Sequence, residues 1–362
     1  LFRSPPSPFH VQMGCCHSHA SISYPLHTST PIPLKPSQSN NHPPLTLQHF
    51  TLIQFLGEGG FGRVFKVRCN GNGRIYAMKV FDKTQITNRL HYAALITERN
   101  TLLQLHFPLL PTLHFAFQTP SALCLVLDYY SGGSLAQRLQ LGCLSEAAVA
   151  FYCGEVLLCL EYLHSHNLIY RDLKPENVLL DSEGHVHLVD FGLCKVCGAF
   201  TSAFTSDEDA SSIKSAMEKR RRWSTGGTEA YLPPEVSVRG EYDATVDWWA
   251  LGVMLWELLT GTVPPTAPGS RLVKPGDMSM CAFNACYRLL ERDREKRLGR
   301  GGSEEVKRHP FFRDLEWEAL LTRRVPAPWI PASDSLSLEE SLHVSLEEST
   351  DTSSELTTAR SE

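Results

Sequence analysis

The first 48 residues contain no aspartate and no glutamate. They are rich in Pro, Ser, Thr and His and show little hydrophobic periodicity. Such a stretch cannot bury enough apolar surface to offset ordering entropy, so residues 1–48 are expected to be disordered. The whole chain lacks a strong charge of either sign: 34 Lys and Arg against 39 Asp and Glu give a net charge of -5 over 362 residues. That balance offers no electrostatic footprint for nucleic acid, which is not an expected partner. A long apolar run is also missing. The richest, Trp248 to Leu259, is interrupted by Glu257 and falls short of the about 18 residues a bilayer span needs. It reads as a buried helix. No secretory signal pattern is visible, and the 11 cysteines are odd in number and scattered. They read as reduced thiols of a cytoplasmic protein rather than a disulfide framework. There is no internal repeat.

What is present begins near His49. Phe50, Leu52, Ile53, Phe55 and Leu56 lead into a glycine-rich turn, and Val64–Val67 and Ile75–Phe81 read as strands around a Gly71-Asn72-Gly73 turn. Residues 90–105 have helical spacing, with Leu95, Leu102 and Leu103 apolar and Glu98 and Arg99 polar. Ala122–Leu127 reads as a strand ending at a Ser131-Gly132-Gly133 hinge. These elements make a small, mostly antiparallel lobe with one helix. A larger helical lobe follows. Ser145 is placed to cap a helix running to about His164. Val178–Leu180 and His185–Val189 flank Asp181-Ser182-Glu183-Gly184, a hairpin signal. Cys197 to about Arg222 is a polar insert ending in a basic run, Lys219-Arg220-Arg221-Arg222. The expected fold class is α+β with two lobes.

Chemistry concentrates in Tyr170-Arg171-Asp172-Leu173-Lys174-Pro175-Glu176-Asn177 and the Asp190-Phe191-Gly192 that follows. The spacing suits phosphoryl transfer. Asp172 would accept the proton of an attacking hydroxyl, and Lys174 would offset charge on the moving group. Asn177 and Asp190 would hold the Mg2+ ions that bridge the phosphates of ATP. The predicted hairpin would hang the catalytic loop from one strand and Asp190 from the next. Upstream, Leu56-Gly57-Glu58-Gly59-Gly60-Phe61-Gly62-Arg63-Val64 is a glycine-rich loop whose backbone N–H groups could approach phosphates closely. A dinucleotide-binding turn uses similar glycines but is followed by a helix. Here a strand follows, and Lys79 lies on the next. A lysine in an apolar strand is costly unless paired, and Glu98 is the natural partner.

These motifs together resemble the eukaryotic protein kinases. Tyr170 in front of Arg171-Asp172 resembles the AGC class. Thr97-Glu98-Arg99-Asn100, Phe115-Ala116-Phe117-Gln118-Thr119, Asp190-Phe191-Gly192-Leu193-Cys194-Lys195 and His309-Pro310-Phe311-Phe312 are most similar to the ribosomal protein S6 kinase branch. The resemblance implies the two-lobed protein kinase fold over 49–312 and the start of an AGC-type C-terminal extension at 313–330; residues 331–362, rich in Ser, Thr and acid, read by composition as a disordered tail. It implies transfer of the ATP γ-phosphate to Ser/Thr hydroxyls of protein substrates. Glu176 and Glu257 match acidic positions that would receive a basic residue near the acceptor, while Ser134 replaces an acid many relatives carry. Ser224, with Thr225 as second choice, stands where an upstream activating kinase would place a phosphate for Arg171 to hold. The basic run beside it reads equally well as a solvated loop face. Thr228 would hydrogen-bond near Asp172 and Lys174. Glu235 would pair with Arg297, and Asp247 would brace the catalytic loop through backbone N–H groups.

Several positions depart from the family pattern. Pro233 and Ala230 replace an expected alanine and glutamate. Residues 262–290 are short and read as having lost their helix signals, which puts peptide docking in question. The extension beyond Trp329 lacks the aromatic motifs that wrap back onto the small lobe. A kinase-like scaffold with little phosphotransfer is the alternative those departures favour, and the intact Lys79, Asp172, Asn177 and Asp190 count against it. Finally, Met13-Gly14-Cys15-Cys16-His17-Ser18 fits an N-myristoylation pattern, usable if translation starts at Met13. Gly14 would carry the acyl chain, Cys15 and Cys16 a palmitoyl group, and a membrane surface would become a partner, since one chain alone anchors marginally. A metal site on Cys15, Cys16, His17 and His19 lacks the paired spacing of zinc ligands.

Overall fold

In the computed structural model the described residues are 45–59, 62–84, 86, 89–196, 228–237 and 243–331. Five strands, β1 (Phe50–Gly59), β2 (Gly62–Cys69), β3 (Ile75–Asp82), β4 (Leu113–Gln118) and β5 (Ala122–Asp128), form an antiparallel sheet in the order β1-β2-β3-β5-β4. The two-residue period of β3 sorts its side chains. Tyr76 and Met78 join Val67, Cys124 and Val126 on one face. Phe81 joins Leu95 and Leu102 of helix α1 (Arg89–Gln104) on the other. Lys79 has the parity of Phe81, so the strand register itself aims it at the helix side. Strand β4 escaped the sequence reading, although Phe115 and Phe117 on either side of Ala116 are its alternating signal. Phe117 stacks on Phe50 at 5.8 Å between ring centres.

The larger lobe contains α2 (Leu135–Leu139), α3 (Glu146–Ser165), β6 (Leu168–Ile169), β7 (Val178–Leu180), β8 (Val186–Leu188), β9 (Lys195–Val196), α4 (Pro234–Ser237), α5 (Thr245–Thr260), α6 (Met280–Leu289), α7 (Ser303–Lys307) and α8 (Trp317–Leu321). Ser145 Oγ accepts the Ala148 N–H at 3.3 Å and caps α3 as expected. Strands β7 and β8 pair as the predicted hairpin, Val178 opposite Leu188. Helix α5 is the expected apolar helix, buried on nearly every side.

Two expectations are corrected. By length and composition a helix able to cross a membrane does exist, and it is α3, not the Trp248–Leu259 run. It is mostly buried within the protein, against α5, β6, β8 and α8. Residues 262–290 have also kept a helix. Ser279 Oγ accepts the Ala282 N–H at 3.0 Å to start α6, and Ala282, Ala285, Cys286 and Leu289 bury one face at helical spacing. The small residues let α6 lie close: a Cβ on Gly252 of α5 would sit 2.7 Å from Leu289 Cβ. Every cysteine among the described residues is free.

Candidate active site

The site is assembled where the lobes meet. Lys79 Nζ donates to Glu98 Oε1 and Oε2 at 2.7 and 2.8 Å, and to Asp190 Oδ1 at 3.1 Å. Strand β3, helix α1 and the loop that follows β8 each contribute one group. The ammonium thus exchanges water for two carboxylates, which offsets much of the cost of burial. The contact to Asp190 joins the small lobe to the large one.

Asn177 Nδ2 donates to Asp172 Oδ2 at 2.6 Å and to the Asp172 carbonyl at 2.8 Å. Lys174 Nζ lies 3.5 Å from Asp172 Oδ1, an ion pair rather than a hydrogen bond. A short 3-10 turn, Pro175–Asn177, carries Asn177 back toward Asp172. The Val189 N–H then bonds the Asn177 carbonyl at 3.0 Å, which fixes Asp190 relative to the loop. Asp172, Lys174 and Asn177 form one side-chain cluster and Lys79, Glu98 and Asp190 another, and the Asn177–Val189 backbone bond joins the two.

Asp247 supports that group from below. Its Oδ1 accepts the Arg171 N–H at 2.8 Å, and Oδ2 accepts the Tyr170 N–H at 2.9 Å and His164 Nε2 at 2.7 Å. The backbone donors were expected; His164, 83 residues away, was not. The Tyr170 hydroxyl bonds the Val189 carbonyl, and its ring meets Phe191 edge-on at 5.7 Å. Arg171 Nε donates to the Leu193 carbonyl at 2.5 Å and Nη2 to that of Cys194 at 3.1 Å. Arg297 grips Glu235 with two bonds of 2.6 and 2.9 Å, and also bonds the Thr245 carbonyl at 3.0 Å. Burial pushes the Cys194 thiol far above its ordinary range.

In the glycine-rich region Gly57 pairs with Val64, Glu58 with Arg63 and Gly59 with Gly62. Leu56 is exposed. A Cβ on Gly62 would meet the Val80 carbonyl at 2.7 Å, so close strand packing requires glycine there. Gly60 and Phe61 lie outside the described residues, as do Ser224, Thr225, Gly14, Cys15, Cys16 and the side chain of Thr228. Glu176 is exposed, while Glu257 is half-buried and accepts the Tyr231 hydroxyl, a partner the sequence did not suggest. Burial lifts the Glu257 carboxyl above the usual range; the Tyr231 bond opposes the lift and the Glu176 charge adds to it. Ser134 caps α2, its Oγ accepting the Gln137 N–H at 3.2 Å.

The protein kinase domain family matches residues 50–312. The chain belongs to the protein kinase family. This kinase is 40% identical over 314 residues to serine/threonine-protein kinase gad8 of Schizosaccharomyces pombe, covering 83% of this chain and 51% of the relative. It is 41% identical over 310 residues to ribosomal protein S6 kinase alpha-4 of Mus musculus, covering 79% and 38%. It is 38% identical over 348 residues to serine/threonine-protein kinase Sgk1 of Xenopus tropicalis, covering 88% and 78%. These relatives place the kinase in the AGC class. It spans about half the length of gad8 and less of the S6 kinase, which is among the relatives as the motifs suggested.

The family uses ATP and magnesium in general, and the residues fit both. With Nδ2 committed to Asp172, Asn177 presents its amide oxygen, and Asp190 presents a carboxylate; both are hard oxygen donors suited to Mg2+. Among the described residues no group of three or more His, Cys, Asp or Glu is placed to hold a metal alone. Magnesium takes one or two carboxylates and completes its shell from phosphates and water.

Proposed function

We propose that this kinase transfers the γ-phosphoryl group of ATP to Ser or Thr hydroxyls of protein substrates. The contact between Asp172 Oδ2 and Asn177 Nδ2, 2.6 Å long, carries the reading. It fixes the carboxylate that would take the hydroxyl proton beside a side chain that would hold the metal. Lys174 stands near enough to Asp172 to offset charge on the moving group. Lys79, oriented by Glu98, would bind the α- and β-phosphates, and the 56–64 backbone would cover them. Bound Mg2+, on Asn177 and Asp190, would neutralise charge between the phosphates.

Glu257, with Glu176 near enough to disturb its titration, supports a preference for acceptors in basic sequence. An upstream kinase acting on Ser224 or Thr225 would add a phosphate for Arg171 to hold. Location would be cytoplasmic, and membrane-anchored where translation from Met13 exposes Gly14 for acylation beside Cys15 and Cys16. Mass spectrometry of the mature N-terminus from cells decides that point.

Phosphate transfer to a basic peptide, wild type against Asp172→Asn, tests the central reading. The expected loss is about 10²- to 10⁴-fold, the usual worth of a positioned base. Equal signal from both proteins would instead favour a nucleotide-binding scaffold.

A further inference from the structure

Two stretches of backbone lie where the lobes meet: residues 105–112, which link α1 to β4 within the small lobe and accept the Leu188 N–H of the large lobe at the Leu109 carbonyl (3.1 Å), and the crossing segment 129–134 between β5 and α2. A single side chain from the C-terminal part of the chain reaches the first directly and the second through one ring. Arg323 Nη2 donates to the Pro108 carbonyl at 2.9 Å and lies 3.1 Å from His187 Nε2, while Nη1 donates to Asp181 Oδ2 at 3.0 Å. His187, on β8, stacks on Tyr130 with ring centres 3.8 Å apart. The crossing segment is also tied to β7, since the Gly132 N–H bonds the Leu180 carbonyl at 2.9 Å and the Leu180 N–H bonds that of Gly133 at 2.8 Å. The chain after Arg323 continues over the hairpin turn: a Cβ on Gly184, whose φ is +86°, would meet the Trp329 carbonyl at 2.2 Å.

Arg323 itself has a φ of 56°, left-handed backbone that side chains other than glycine rarely adopt. Its guanidinium holds three acceptors in that conformation. Lysine could not reproduce this, because a point charge has no planar fork. The charged and titratable groups facing His187 are Asp181 of the hairpin turn, Arg323 of the C-terminal segment, Asp128 at the end of β5 and Tyr130 of the crossing segment. His185, on the same hairpin, pairs with Glu155 at 2.6 Å. His187 Nε2 lies 3.1 Å from Asp181 Oδ2 as well as from Arg323. Its Nδ1 is buried with no partner among the described residues. With the proton on Nδ1, Nε2 accepts from the guanidinium. A second proton turns Nε2 into a donor, which gains a bond to Asp181 but loses the one from Arg323 and sets two cations against each other. Burial already favours the neutral ring.

We propose that Arg323 and His187 are positioning residues for the nucleotide site: the guanidinium, through the neutral imidazole, sets the path of the crossing segment and hence the seating of ATP between the lobes. This rests on the phosphoryl-transfer reading for its kinetic consequence, though not for its structural one.

The experiment uses the full chain and the variants Arg323→Ala, Arg323→Lys and His187→Gln, with two readouts. The first is hydrogen exchange of 129–134 and 105–112 without nucleotide. The second is steady-state kinetics with ATP and a basic peptide. Arg323→Ala is expected to speed exchange in both stretches and raise the KM for ATP by about 3- to 10-fold, with kcat and peptide KM nearly unchanged. Arg323→Lys should recover only part of this. In the wild type the ATP KM should rise as pH falls from about 7.5 to about 5.5, and His187→Gln should flatten that rise. Unchanged exchange at 129–134 in Arg323→Ala overturns the proposal. So does a parallel fall of kcat and melting temperature with the ATP KM unmoved. Should the wild type transfer no phosphate, the phosphoryl-transfer reading fails and exchange alone judges the positioning role.

Discussion

Asp247 and Asp190 both border the loop 170–177, and their environments are opposite. Asp247 is fully closed to solvent and filled by three protein donors, while Asp190 keeps 19% of its side chain exposed and meets a lysine from the other lobe. A carboxylate whose lone pairs are taken by the fold is a structural part. One that stays open where the lobes meet is available to a ligand. Residue type and local motif do not separate them; burial and partner identity do.

Substitution at each should therefore fail differently. The largest effect is expected from Asp190→Asn: peptide phosphorylation should drop by about 10³-fold, with the melting temperature almost unmoved. Asp247→Ala should reverse that balance. Leaving the Tyr170 and Arg171 N–H groups and His164 without their acceptor should cost about 3–5 kcal/mol of stability, read by urea titration. If both variants lose stability alike, the contrast between the two acids is wrong. A smaller effect sharpens it in the peripheral part of the lobe. Ser279→Ala removes the α6 cap and should cost about 1 kcal/mol, leaving ATP affinity unchanged in a nucleotide titration.

The smallest effect concerns pH. Burial raises the Glu257 carboxyl, so it takes up its proton at higher pH than an exposed glutamate. Any attraction it exerts on a basic peptide is complete above that raised value and fades as pH falls through it. The peptide KM should rise on acidification earlier than ordinary carboxylate titration would give. Glu257→Gln should make the KM high and insensitive to pH.

Most of the site was legible because its groups are close in sequence. Asp172, Lys174 and Asn177 fall within six residues, and Asp190 follows a hairpin whose turn residues announce it. Lys79 and Glu98 could be matched since an unpaired lysine in an apolar strand demands a carboxylate. What stayed hidden needed folding to bring partners together. His164 with Asp247, Tyr231 with Glu257 and Arg323 with His187 are separated by 83, 26 and 136 positions, and no local pattern links them. Helix α6 was hidden for another reason. Its Pro- and Gly-rich approach, residues 264–276, drew attention from the Ser279 cap and the Ala282, Ala285, Cys286, Leu289 face behind it. Helix α3 was overlooked as the longest apolar element because Glu155 and Glu161 break its apolar run, although the fold buries Glu155 against His185.

Arg171 and Asp190 both have left-handed backbone, with φ of 68° and 64°, a conformation that costs a side-chain-bearing residue about 1–2 kcal/mol. Asp247 grips the amide of the first, and the Asn177–Val189 bond secures the approach to the second. Both unfavourable torsions are thus met during folding, before any nucleotide arrives. A phosphate donor entering this kinase would find its polar groups already preorganised, so that little of its binding energy would be diverted to bending the chain.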